Sequence, residues 1–518
     1  MAGFVACSTS RLAANSARGI QTQLRNPPLL IAATVVRHLK NAFVKPNLIA
    51  MRNLNFIVIL IVFFSPSIYG QTMFDHGKLQ VSKNGHYLQY SDGTPFFWLG
   101  DTGWELFHRL NYNEIKHYLD NRSAKGFTVI QAAALAEMDG LRIPNQYGEV
   151  PFLNNDPTHP NDKYFALIDS VIQMAKERNL FIGLLPTWGD KVTQLWGVGP
   201  VVFDSINAYS YGKWLGKRYK NEPNIIWILG GDRPAIKDSN DWRPIWRAMA
   251  KGIIEETGNN CLMTYHPWGG ENSTSQWIHN ETWLDMNMFQ SGHGGGRDVA
   301  CWELVKRDFN YLPVKPTLDG EPNYEDHPVS PWPKWNTDNG YFRDYDVRKQ
   351  CYRSVFAGAC GVTYGHHAIW QFMNAKEEAI NYPDRGWINA LDRPGAYQVG
   401  YLRKLIESRP MLDRVPDNTI ILKGQGEKGE HIEAFRNSDY GYAMVYIPVG
   451  KTITLNIEKF GKKIVVWYIN PQNLSVLKTE TMDNKKIMSF TTPTEGYGND
   501  WVLIIDDASK KYLAPSMD

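Results

Sequence analysis

At 518 residues the chain is long enough for two to four ordinary domains, and for fewer if one of them is a large α/β barrel. Its 43% apolar content is ordinary for a globular chain, but 18 Trp, 26 Tyr and 22 Phe form an aromatic excess that suits packing on sugar rings as well as core formation. The formal charge of +2 rests on an acid-free first 70 residues; without their seven Lys/Arg the remainder stands at −5, which excludes a basic nucleic-acid-binding surface.

In that first stretch, Met51-Arg52 is followed by the apolar run Phe56–Phe64 and then by Ser65–Gly70. A charged start, a short apolar run and a small residue define a secretory signal peptide over 51–70, with Gly70 the last residue removed. The run falls short of the roughly 20 residues a membrane span needs, so no transmembrane segment is expected. The mature protein is therefore expected to be secreted, to the periplasm or cell surface. Residues 1–50 read as upstream sequence or a disordered extension, with a basic organelle transit peptide as the alternative. Cys261, Cys301, Cys351 and Cys360 lack CxxC spacing, which argues against zinc and against a disulfide framework. Buried free thiols are preferred over a Cys351–Cys360 bridge.

Beyond the leader, Lys83-Asn-Gly85 between Leu79–Ser82 and His86–Tyr90 predicts a β-hairpin. A first core strand is predicted at Phe96–Gly100. Helix-like and strand-like segments then alternate. Helix 113–125 precedes strand 127–133, and helix 163–178 precedes strand 180–185. Helix 208–219 leads to strand 224–229, and helix 242–256, stopped by Gly258, leads to strand 261–266. Strand 283–290, helix 299–308, strand 314–319, helix 346–359, strand 361–365 and a closing helix at 397–408 complete the series. About eight such units predict a (β/α)₈ TIM barrel over 71–410, preceded by the hairpin. An open doubly wound sheet is the alternative, but no Gly-rich nucleotide loop follows a strand. From 411 to 518, seven short strand-like segments without helices predict a small antiparallel β-sandwich.

In such a barrel the chemistry sits at the C-terminal ends of the strands. The residues there are Asp101, Trp104 and Glu105; Glu137 and Asp139; Trp188 and Asp190; Asp232 and Arg233; His266 and Trp268; Gln290 and His293; Asp319, Glu321 and Tyr324; and Tyr364, His366, His367 and Trp370. Each has a structural explanation on its own: Asp101 could cap a turn, Asp232 could stabilise one, and the tryptophans could pack at the rim. No HExxH, HxH or CxxC groups the histidines and acids into a metal site, and no G-x-S-x-G elbow follows a strand. No cofactor is expected. The pair Asp232 and Glu321, on the fourth and seventh strands, fits paired-carboxylate glycoside hydrolysis, with one acid protonating the leaving oxygen and the other attacking C1 or activating water.

The segments His86–Trp104, Ile225–Asp232, Asp319-Gly-Glu-Pro-Asn-Tyr324 and Gly361–His366 resemble those of the apiosidase-like proteins, glycoside hydrolase family 140. The likeness spans about 79–409. The resemblance implies a retaining enzyme that cleaves the apiosyl–galacturonate bond of the plant pectin rhamnogalacturonan II. It implies Asp232 as acid/base and Glu321 as nucleophile, although related barrel glycosidases usually carry Asn-Glu where this chain has Gly-Asp. Asp101, Trp104, Glu137, Trp188, His266, Trp268, Gln290, Tyr364, His366 and Trp370 are the expected substrate-binding residues. Arg233 or Arg297 is expected to meet a substrate carboxylate. A glycosidase acting on arabinofuranosides or β-glucans, and a carbohydrate-binding protein without catalysis, are the alternatives.

Overall fold

The computed structural model of the protein describes residues 72–258, 261–270, 272–330 and 334–516; the expected leader lies outside them. A three-stranded antiparallel sheet comes first: β1 (Leu79–Val81), β2 (Leu88–Tyr90) and β3 (Pro95–Phe96). Its third strand is an addition to the expected hairpin, and it moves the first barrel strand. Phe96 pairs back with Leu88, so barrel strand β4 runs Trp98–Thr102, two residues later than periodicity predicts.

The other barrel strands are β5 (Val129–Ala133), β6 (Phe181–Leu185), β7 (Ile225–Gly230), β10 (Met263–His266), β11 (Asn287–Phe289), β12 (Thr317–Asp319) and β13 (Gly361–Tyr364). A small ribbon, β8 (Ile236–Lys237) with β9 (Asn240–Asp241), follows β7. The eight barrel strands form one parallel sheet in the order β10-β7-β6-β5-β4-β13-β12-β11. At the remaining seam, Asp285 donates its N–H to the Met263 carbonyl at 2.9 Å and its carboxylate accepts the Met263 N–H at 2.8 Å. Thr264 donates to the Met286 carbonyl at 2.8 Å. Asp285 and Met286 serve the seam in this way, which leaves β11 shorter than the expected 283–290.

Every residue of β5, β6 and β7 is buried, as both-face coverage by helices and a barrel interior requires. The interior core runs from the N-terminal sheet, where Phe96 packs edge-on against Phe181 at 5.3–5.4 Å alongside Phe74, up through Val129, Ile226, Ile228 and Leu318 to Trp104 and Trp188 at the mouth. Helix starts are fixed by local chemistry. Asn111 accepts from the N–H groups of Asn113 and Glu114, and the Glu114 carboxylate accepts from the Asn111 N–H. Asp204 caps helix Ser205–Tyr219 in the same manner. That helix crosses helix Arg243–Thr257 closely: a Cβ at Gly212 would lie 2.3 Å from the Met249 carbonyl oxygen.

The C-terminal region has nine strands where seven were expected. They are β14 (Arg414–Pro416), β15 (Ile421–Lys423), β16 (Glu433–Asn437), β17 (Tyr442–Ile447), β18 (Gly450–Asn456), β19 (Lys463–Ile469), β20 (Val476–Asp483), β21 (Ile487–Gly496) and β22 (Trp501–Asp507). A six-stranded sheet, β14-β16-β17-β22-β19-β20, faces a three-stranded one, β15-β18-β21. Strand β20 is rich in Thr, Glu and Lys, so its apolar signal is weak. Alternation places Ala443, Val445, Leu503 and Ile505 in the core between the sheets, whereas Tyr442, Met444, Tyr446 and Ile504 pack toward the barrel. All four cysteines in the described residues are free thiols, including Cys351 and Cys360.

Buried ion pairs cross the same junction. Arg348, on the barrel helix Asp344–Phe356, donates twice to Asp500, each bond 2.8 Å, and Tyr446 donates to Asp500 at 3.0 Å. Replacing Asp500 by Ala leaves the buried Arg348 guanidinium with the partly exposed Asp344, at 3.3 Å, as its remaining carboxylate. The expected cost is about 3–5 kcal/mol, read as a lower midpoint in denaturant unfolding of the whole chain.

Candidate active site

The mouth of the barrel opens on a cavity of about 680 Å³. Asp232, Glu321, Glu137, Trp104, Trp188, Trp268, Gln290 and Trp370 line it, all of them among the residues singled out from sequence.

Asp232 reaches it through an unusual turn. Gly230, Gly231 and Asp232 have φ of 87°, 105° and 53°, three successive residues in the left-handed half of backbone space. A side chain is excluded at the first two positions on steric grounds as well: a Cβ on Gly230 would lie 2.3 Å from the His266 carbonyl oxygen, and one on Gly231 2.7 Å from the Gly189 nitrogen. The Gly-Gly-Asp sequence is thus the one that lets β7 turn against β10 and the loop after β6. The Gly231 N–H donates to the His266 carbonyl at 3.0 Å, and the Asp232 N–H donates to His266 Nδ1 at 3.2 Å.

That second bond fixes the imidazole. Because Nδ1 accepts, the proton of neutral His266 sits on Nε2, which lies 2.9 Å from Glu321 Oε2. The ring is held edge-on to Trp104 and beside Trp188. His293 repeats the arrangement: its Nδ1 accepts from the Tyr324 N–H at 3.4 Å, and Nε2 faces Glu321 Oε1 at 3.2 Å. Tyr324 also donates its hydroxyl to Oε1 at 2.6 Å and accepts from Trp104 Nε1 at 3.0 Å. Burial works against ionising Glu321, but the Nε2–H groups that His266 and His293 turn toward it outweigh burial and hold the carboxyl below the ordinary glutamate range.

Asp232 is pushed the other way. Burial raises its carboxyl above the ordinary aspartate range; Glu321 reinforces the shift and Arg233 opposes it. Its Oδ2 accepts from Trp196 Nε1 at 3.0 Å and from Arg233 Nη1 at 3.1 Å. Glu137 is a third carboxyl in the cavity, pushed up to about 8 chiefly by burial, with Arg233 pulling it down and Asp232 raising it further. Two acids noted from sequence hold loops in place. Glu105 binds His108 at 2.7 Å and accepts from the Met138 N–H at 3.0 Å, next to Glu137. Asp190 accepts from the Gly199 N–H at 2.8 Å and steadies the loop of Trp196.

Four expected substrate-binding residues do not line the cavity. His266 is fully buried behind it, between the Asp232 N–H and Glu321. The later start of β4 puts Asp101 inside a strand, where Tyr118 and Arg122 each donate to it at 2.6 Å and the pair is fully buried. Tyr364 ends β13 and donates to Glu325 at 2.6 Å. His366 bonds Asp326 at 3.1 Å and caps the turn at Ala368. The two arginines expected at a substrate carboxylate are engaged elsewhere as well. Arg233 is buried on Asp232 and the Trp196 carbonyl, and Arg297 holds the carbonyls of Asn339 and Tyr341. Sequence reasoning passed over Trp196, His327, Trp335 and Asn381, which also line the cavity. The available signal for Trp196 was a tryptophan among glycines in a loop just past a barrel strand. Among the described residues no group of three or more His, Cys, Asp or Glu is arranged to hold a metal ion, and no helix is long and apolar enough to cross a membrane.

An eight-stranded parallel barrel with two oppositely tuned carboxyls at one aromatic cavity has the architecture of a glycoside hydrolase. The chain belongs to the apiosidase-like family of glycoside hydrolases: residues 82–413 match the apiosidase-like catalytic domain. It is similar to a solved glycoside hydrolase at 35% identity and a TM-score of 0.77, covering 86% of this chain and 100% of that one. It is also similar to a glycoside hydrolase family 5 structure from Bacteroides vulgatus ATCC 8482, at 33% identity and a TM-score of 0.77, covering 86% and 96%. Residues 415–506 match a model described as a collagen-binding domain of a collagenase. No curated protein matches the chain.

The turn before Asp232 gives a direct test. Gly230→Ala is expected to lower stability by about 1–3 kcal/mol, because its Cβ cannot be housed without moving the His266 backbone. An unchanged urea midpoint would show that this approach is not rigid.

Proposed function

We propose that the protein is a retaining glycosidase that cleaves the apiosyl–galacturonate linkage of rhamnogalacturonan II, with Asp232 as acid/base and Glu321 as nucleophile. The observation that carries the roles is the opposite tuning of two carboxyls on the fourth and seventh strands of one barrel. A nucleophile must be ionised when substrate arrives, and Glu321 is. A general acid must carry its proton, and Asp232 is biased to keep it. In the first step Glu321 attacks C1 while Asp232 protonates the departing oxygen. In the second, Asp232 takes a proton from water as it displaces the glycosyl ester.

Family membership supports the apiosyl reading, and the cavity supports a polyhydroxylated ligand. Trp188 Nε1, Trp268 Nε1 and Gln290 Oε1 are buried around it without hydrogen-bond partners among the described residues. Sugar hydroxyls would satisfy such groups, and the indole faces suit sugar C–H surfaces. Glu137, mostly protonated at neutral pH, can both donate to and accept from a hydroxyl. We further infer secretion, from the charged start and apolar run at 51–70; N-terminal sequencing of the exported protein should begin after Gly70.

Wild-type protein should release apiose from rhamnogalacturonan II oligosaccharides but not act on arabinofuranoside or β-glucan controls. Asp232→Ala and Glu321→Ala should each lower that release by at least about 100-fold. Near-normal release by either variant removes the role given to that residue. The rate should also depend on pH in one direction. Glu321 is held below the ordinary glutamate range, so the limb expected for kcat/KM is alkaline and follows loss of the Asp232 proton. An acid limb in the ordinary glutamate range, about 4.3, would contradict the assignment of Glu321.

A further inference from the structure

Two indole rings away from Asp232 lies a cation that the catalytic arrangement does not use. Trp196, whose indole donates to Asp232, stacks on Trp268 at 5.7 Å and 16° between rings. The Lys237 ammonium, on ribbon strand β8, stands 5.0 Å from the centroid of the Trp268 ring. Lys237 is half-buried, and among the described residues its ammonium meets that ring and no carboxylate or carbonyl acceptor. The contrast with Arg233 is direct. That guanidinium lies 4.1 Å over the Trp196 ring and is fully engaged.

The direction of this row matters. The acid protonates the leaving oxygen, so groups on the Asp232 side of the cavity face the leaving sugar, whereas Glu321 and its histidines face the sugar that is attacked. Glu321, the cavity carboxyl held ionised, repels an anion, and no lysine or arginine is among the described residues lining the cavity. An acidic leaving sugar needs a compensating cation on its own side, and Lys237, which stands outside the cavity lining, lies over the Trp268 ring that forms part of it.

We propose that Trp268 and Lys237 form the leaving-group subsite and that Lys237 pairs with the carboxylate of a hexuronate bound on the Trp268 face. The proposal rests on the assignment of Asp232 as the acid, and it gives the selectivity for an acidic leaving sugar a physical cause.

The test uses the full chain and two variants, Lys237→Met, which keeps an apolar stem over Trp268, and Lys237→Arg, which keeps the charge. For each, kcat/KM is measured on an apiosyl-galacturonate oligosaccharide and on the same compound with its carboxyl reduced to the neutral galactose form. The ratio of acidic to neutral substrate should fall about 10-fold in Lys237→Met, mainly through KM, and recover in Lys237→Arg. In wild type the ratio should shrink as salt rises. In parallel, calorimetry with an oligogalacturonide needs no turnover, and Lys237→Met should bind it about 10-fold more weakly. If apiose is released but both the ratio and the oligogalacturonide affinity are unchanged in Lys237→Met, the subsite is overturned and the apiosyl reading stands. If no apiose is released yet oligogalacturonide binding depends on Lys237, the subsite stands and the apiosyl reading falls. Failure of wild type to bind oligogalacturonide at all overturns the subsite.

Discussion

One imidazole joins the two halves of the active site. His266 accepts the Asp232 backbone N–H on one nitrogen and turns the other toward Glu321. Backbone N–H groups only donate, so this bond dictates which ring nitrogen carries the proton, and the proton faces the carboxylate. The same residue's carbonyl receives the Gly231 N–H, and its ring is wedged against Trp104 and Trp188. The fourth, fifth and seventh barrel strands are thereby registered to one another at the level of single atoms. Movement of β10 relative to β7 would disturb both carboxyls at once, because each is referred to the same ring.

The electrostatics follow from that registry. Glu321 is nearly buried, with 7% of its side chain exposed, and a lone carboxylate there would favour protonation. Two imidazole N–H groups and the Tyr324 hydroxyl converge on it and reverse the preference. Once Glu321 is charged, it raises the cost of ionising Asp232, whose donors Trp196 and Arg233 do not outweigh its burial. The asymmetry between the two acids thus arises because the donors outweigh burial at Glu321 and do not at Asp232. It also accounts for an Asp at the fourth strand. The extended Gly-Gly turn places the backbone of residue 232 itself against His266, so the side chain starts from a position already advanced into the mouth.

The alternation of strands and helices made the barrel, the eight-unit count and the strands bearing Asp232 and Glu321 legible in the amino-acid sequence, because each depends on local periodicity. What was not legible depends on long-range pairing. Asp101 looked like a residue past a strand end, and only the pairing of Phe96 with Leu88 shifts β4 and draws it into the barrel wall beside Arg122. Trp196 and Trp335 come from irregular loops with no periodicity to place them. Arg233 and Lys237 look equivalent as cations near a strand end. Their difference lies in partners that are distant in sequence: the Trp196 carbonyl for one, the Trp268 face for the other. Strand β20 shows the opposite limitation, since a polar edge strand has little apolar pattern to read.

The C-terminal domain is tied to the chemistry by position as well as by chain. Helix Asp344–Phe356 lies between the β-sandwich and the barrel. On one side Arg348 is bound to Asp500, and Tyr352 packs 4.8 Å from Tyr446. On the other, Gln350 accepts from the Asn323 N–H at 3.1 Å and donates to Ser291 at 2.7 Å, and Ser291 in turn donates to Asp319 at 2.6 Å. Asn323 and Asp319 bracket Glu321, so the loop that carries the carboxylate is clamped by a helix whose outer face is covered by the second domain. Because Tyr446 and Ile504 present the inner face of the sandwich to the barrel while Val445 and Leu503 fill its own core, the central strands β17 and β22 are buried on both faces. Removing the domain would expose that apolar face of the barrel and strip Arg348 of its two bonds to Asp500 on the helix that holds Glu321 in register. A structural role for the domain follows from this packing, whatever else its outer surface does.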